Sequence, residues 1–85
     1  MRDSHVTQFI VIPFRQGIGG DLLPVEVRPA GTEVGAARVA HAMRERYAGV
    51  AAYEVLLDPE TGAMESPKVL FKHGRIPALD EYAAA

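Results

Sequence analysis

The 85-residue chain has no cysteine and no tryptophan, and only three phenylalanines and three tyrosines. Without cysteine there are no disulfides, no zinc–thiolate site and no thiol catalysis. The covalent staples common in small domains are missing too, so stability must come from good packing or an oligomeric partner. Neither sign of charge dominates: nine Lys and Arg stand against eleven Asp and Glu, a net charge of −2. That balance excludes a generally basic surface of the kind that coats nucleic acid, but not a local basic patch. No apolar run approaches the ~20 residues needed to span a membrane. The opening MRDSHVTQ lacks the apolar centre of a secretory leader. A soluble, cytoplasmic protein is therefore expected. The remaining composition, 48% hydrophobic and 24% charged, is that of a globular domain and argues against disorder. A single domain over residues 1–85 is expected, with room for one helix layer on one sheet layer and hardly a second core.

Residues 1–6 read as a frayed start. TQFIVIPFR, Thr7 to Arg15, reads as a central strand, because apolar residues occupy both alternating faces. DLLPVEVRP, Asp21 to Pro29, reads as a second strand, with Leu23, Val25 and Val27 on one face and Pro24 favouring an edge. AGTEVGAARVAHAMRERYAG carries the one clear helix. Thr32 suits the N-cap, Ala36, Val39, Ala40, Met43 and Tyr47 form a stripe at helical spacing, and Gly49 suits the residue past the C-terminus. Arg38, His41 and Glu45 fall opposite, toward water. GVAAYEVLLD is a third strand, DPETG a turn and SPKVLFKHG a fourth strand, with Val69 and Phe71 on one face and Lys68, Leu70 and Lys72 on the other. Residues 76–85 are a tail. The expected fold is a two-layer α+β domain, ββαββ, with a four-stranded antiparallel sheet in the order 2-1-3-4 and the helix on one face.

Three glycines in four positions, within FRQGIGGDL, raise the question of a phosphate loop. Such loops need a helix N-terminus after them to hold the charge. Here DLLPVEV, a strand, follows, so the glycines serve a hairpin turn. Ile18 at its tip is unusual for a loop apex and is a candidate contact residue. His5, His41 and His73 have no metal-ligand spacing, and His41 with Glu45 is an ordinary surface pair. No catalytic residue, metal or cofactor is expected. The run KVLFKHGR places Lys68, Lys72 and Arg75 around Phe71, the mixture a nucleic-acid surface uses, while edge-strand lysines equally serve to block edge-to-edge aggregation. Asp58, Glu60 and Glu65 read as a solvated hairpin without calcium-loop spacing.

One helix covers one face of such a sheet, and the other should then be mostly polar. It is not. One of the sets Phe9/Val11 or Ile10/Ile12/Phe14 must point away from the helix, and the third strand is apolar on both faces apart from Glu54. Burying an extra ~400 Å² contributes roughly 10 kcal/mol before entropy costs, an upper bound. Two covers are open: the tail, through Ile76, Leu79 and Tyr82, or a homodimer or protein partner. The candidate interaction residues are Phe9, Val11, Ile18, Tyr53 and Val55.

The stretches FIVIPFRQGIGGDLLPVE and LLDPETGAMESPKVLFKHGRIP, with the alanine-rich helix between them, resemble a group of small uncharacterised bacterial proteins. The shared plan is a strand ending in P-F, a glycine turn, L-P-x-E, the helix, and a hairpin containing DP-x-TG. The resemblance implies the ββαββ fold and a bacterial origin, and carries no activity. The expected function is a non-catalytic protein-interaction or regulatory module that self-associates through the sheet face the helix leaves uncovered. One alternative is a phage or mobile-element inhibitor, for example of a CRISPR nuclease complex, with Asp58, Glu60, Glu65, Asp80 and Glu81 mimicking nucleic-acid charge. A second is a nucleic-acid binder using Lys68, Lys72 and Arg75, and a small enzyme comes last.

Overall fold

The computed structural model describes residues 5–77. Leu79, Asp80, Glu81, Tyr82 and the first four residues lie outside that range. The chain is α+β. It runs β1 (Val6–Gln16), β2 (Leu22–Pro24), β3 (Arg28–Ala30), α1 (Glu33–Met43), β4 (Gly49–Leu57) and β5 (Met64–Gly74). All pairings are antiparallel, in the order β2-β1-β4-β5, with β3 also paired to β1.

The sheet has five strands where the sequence suggests four, because the expected second strand is two short ones. Phe14 pairs with Pro24 and Val11 with Arg28, which leaves one extra residue between the two ladders. Proline explains the break. Pro13 has no N–H to continue the ladder; its carbonyl accepts from the Val25 N–H at 2.8 Å. Leu23, Val25 and Val27, expected to form one apolar face, are exposed instead.

Helix α1 starts as its sequence dictates. Thr32 is extended, and its hydroxyl accepts from the Gly35 N–H at 2.9 Å. Ala36, Ala40 and Met43 are buried, with Val39 and Tyr47 packed beside them. The helix ends at Met43, before the expected Gly49. The Arg44 guanidinium donates to the His41 carbonyl at 2.6 Å and satisfies part of the frayed end. Gly49 instead opens β4, where it pairs with Gly74, and the Arg75 N–H donates to the Ala48 carbonyl at 3.0 Å.

The register assigns the faces. Phe9 pairs with Glu54, Ile10 with Tyr53 and Val11 with Ala52. Paired residues share a face. Val11, Val50 and Ala52 therefore meet the helix, with Phe9, Ala30, Leu70 and Phe71 around them. Ile10, Ile12, Phe14, Ala51, Tyr53 and Val55 form a second buried cluster on the far side, joined by Leu22 and Ile76. The described residues thus form two apolar clusters, one on each face of the sheet, where the length suggested hardly a second.

Candidate functional site

The five candidate interaction residues do not lie on one surface. Phe9 and Val11 belong to the helix-covered cluster, Tyr53 and Val55 to the opposite one. The correction follows from the register, since Ile10 and not Phe9 pairs with Tyr53. The face away from the helix is also not a bare patch. Tyr53, Val55, Ile10 and Ile12 are at most 4% exposed, and Ile76, the first of the three tail residues expected to cover this face, packs against them. Leu79 and Tyr82 lie outside the described residues.

Ile18 stands apart. The Gly17 N–H donates to the Asp21 carbonyl at 2.7 Å and Gly20 takes a φ of 88°, so the loop closes on itself and leads into β2. That geometry is a hairpin turn, and a strand follows it where a phosphate loop needs a helix N-terminus. Ile18 projects from its tip, fully exposed at 110% of the reference area. Leu23, Val25 and Val27 follow it along the broken edge, and Val34, in the first turn of α1, is 65% exposed. Asp21, Glu26 and Arg28 are interspersed, and the Arg28 guanidinium lies 3.4 Å from the Glu26 carboxylate. Sequence reasoning finds Ile18 from its position in a turn. It misses Leu23, Val25 and Val27 because their alternation looks like a buried strand face.

The basic run is divided. Ala52 pairs with Phe71 and Tyr53 with Val69, so Leu70 is an extra residue in a β-bulge. Beyond it Lys68 pairs with Glu54 on the helix side, whereas Lys72 pairs with Ala51 on the other. The two lysines expected on one face are on opposite faces. Phe71 packs on the helix cluster, and its ring meets the His41 ring edge-on at a 6.0 Å centroid distance. It offers no open platform for a base. Arg75 lies past the end of β5, where Leu22, Lys72, His73, Gly74, Arg75 and Ile76 line an open depression.

The acidic turn is ordinary. The Asp58 carboxylate accepts from the Glu60 N–H at 2.9 Å, its carbonyl accepts from Gly62 at 2.7 Å, and Gly62 supplies a φ of 78°. Glu65 lies 3.5 Å from His5. Asp80 and Glu81 are outside the described residues. Among the described residues no three His, Asp or Glu side chains converge, and no helix is long and apolar enough to cross a membrane. Comparison with known proteins finds no matching family model, no matching curated protein and no matching solved structure.

Proposed function

We propose that the protein is a non-catalytic interaction module that pairs with a second copy of itself. The observation that carries this reading is the run of exposed apolar side chains along the β1–β2 turn and the β2–β3 margin: Ile18, Leu23, Val25 and Val27. Extensive exposed apolar surface on a small soluble domain marks a contact site. The margin replaces the sheet face in this role, because the centre of that face is already buried within the chain. A two-fold pair needs a self-complementary surface. Glu26 and Arg28, adjacent on this margin, supply both signs of charge and can exchange partners across such an axis.

Light scattering at micromolar concentrations tests the proposal. The wild-type chain should run at twice its monomer mass. Ile18→Asp with Val27→Asp should run as a monomer with its unfolding transition retained, because both side chains are exposed and belong to neither buried cluster. A wild-type chain that stays monomeric at these concentrations would sink the dimer.

A further inference from the structure

The far end of β5 differs in chemistry from the apolar margin. From Ser66 to Pro77 the chain carries Lys68, Lys72, Arg75 and His73 and no Asp or Glu, against a net charge of −2 for the whole. Lys72 and Arg75 line the open depression together with Leu22 and Ile76. These two aliphatic side chains pack on the buried cluster of the far face, so they form a floor that the protein itself supports. Lys72 pairs with Ala51 of that cluster, which places it on the same face. Among the described residues neither Lys72 nor Arg75 forms an ion pair, whereas Arg28 and Arg44 each have a carboxylate neighbour. The backbone beneath is held. The Arg75 N–H is bonded to the Ala48 carbonyl, and Gly74 adopts a φ of 75° that few other residues accept.

We propose that this depression binds an organic anion: one carboxylate or phosphate carried on an apolar body. Arg75 offers a planar fork that matches two oxygens of either group, and Lys72 a second point charge. Leu22 and Ile76 take the apolar body. A nucleic-acid strand fits less well. Phe71, the aromatic of the run, is engaged by His41 and the helix cluster, and Lys68 is on the other face. A strand would meet two cations and an aliphatic floor, without the stacking surface that single strands use.

The test is an amide-resolved NMR titration of the full chain with phenyl phosphate, octanoate, inorganic phosphate and a single-stranded DNA oligomer in turn. Phenyl phosphate, octanoate or both should give saturable shifts centred on Leu22 and Lys72 to Ile76, and which of them does so identifies the head group. Inorganic phosphate should bind about tenfold or more weakly by comparison, because it makes no use of the floor. Lys72→Ala with Arg75→Ala, both exposed positions, should weaken the organic anion about tenfold or more. Lys68→Ala should not weaken it. Inorganic phosphate binding as tightly as the organic anions would overturn the apolar half of the proposal. Absence of saturable shifts at these residues would overturn the site. Tighter binding of the oligomer, with loss on Lys68→Ala, would replace it with a nucleic-acid surface.

Discussion

Gly49 and Gly74 pair at the end of the β4–β5 ladder, and each is required by the backbone of the other strand. A Cβ on Gly49 would overlap the Arg75 carbonyl, and one on Gly74 would collide with the Ala48 carbonyl. Both obstacles are backbone atoms, which cannot swing aside as a side chain end can. Gly31 is the natural control, since a Cβ there meets nothing within 4 Å. Gly49→Ala should therefore cost about 1–3 kcal/mol of unfolding free energy, the range for forced overpacking. Gly31→Ala should stay within about 0.5 kcal/mol. Urea denaturation of the two variants checks this, and equal midpoints would mean that the strands do not approach as closely as described. The same pair leads into Arg75, so a Gly49→Ala chain that still folds should also show a disturbed depression at Lys72 to Ile76.

Among the elements, α1 is the most legible. Its stripe of Ala36, Val39, Ala40, Met43 and Tyr47 repeats at the helical period, and Thr32 caps it as its position suggests. Thr32→Ala should cost about 1 kcal/mol and Thr32→Ser much less, because serine keeps the acceptor for the Gly35 N–H. Thermal unfolding of the two variants tests it, and equal losses would point to the methyl group and away from the cap. The strands are less legible, for two physical reasons. A β-bulge adds a residue without changing composition, so the alternation through Lys68, Leu70 and Lys72 reads as one face when Leu70 breaks it. Leu70 and Phe71 both turn toward the helix as a result. The pairing register is likewise a property of two strands together, and a slip of one residue exchanges the faces. That is why the sequence groups Phe9 and Val11 with Tyr53 and Val55, although the alternation within each strand is plain. The split between β2 and β3 has a visible cause in Pro13, Pro24 and Pro29, but the alternation of Leu23, Val25 and Val27 points to a continuous strand.

At the scale of the molecule, the described residues guard the sheet edges and bury the centre of both faces. β5 carries Pro67, Lys68, Lys72 and two irregularities of register, and the β2–β3 edge is short, interrupted and marked by Pro24 and Pro29. Both are devices that oppose strand addition. Assembly through side chains, as proposed for the Ile18 margin, fits this design better than extension of the sheet. The second cluster then serves as core, and Ile12 tests it against Val11. The two are neighbours in β1 on opposite faces, Val11 fully buried and Ile12 4% exposed. If the far face were a docking surface, Ile12→Ala would weaken association and leave a monomer's stability nearly unchanged. As part of a core, Ile12→Ala should cost about 2–5 kcal/mol and Ile12→Val about 0.5–1.5 kcal/mol. Against the ~5–15 kcal/mol net stability of a domain, the alanine variant should lie close to unfolding at 37 °C. Because the cluster is buried within one chain, these losses should be the same at every protein concentration, whereas a docking face would make them grow as dimer forms. Denaturation of Ile12→Ala, Ile12→Val and Val11→Ala at two concentrations spaced about a hundredfold apart separates the two, since that ratio shifts a monomer–dimer equilibrium by about 2.7 kcal/mol. A loss confined to the higher concentration would return the far face to the role the sequence first suggested.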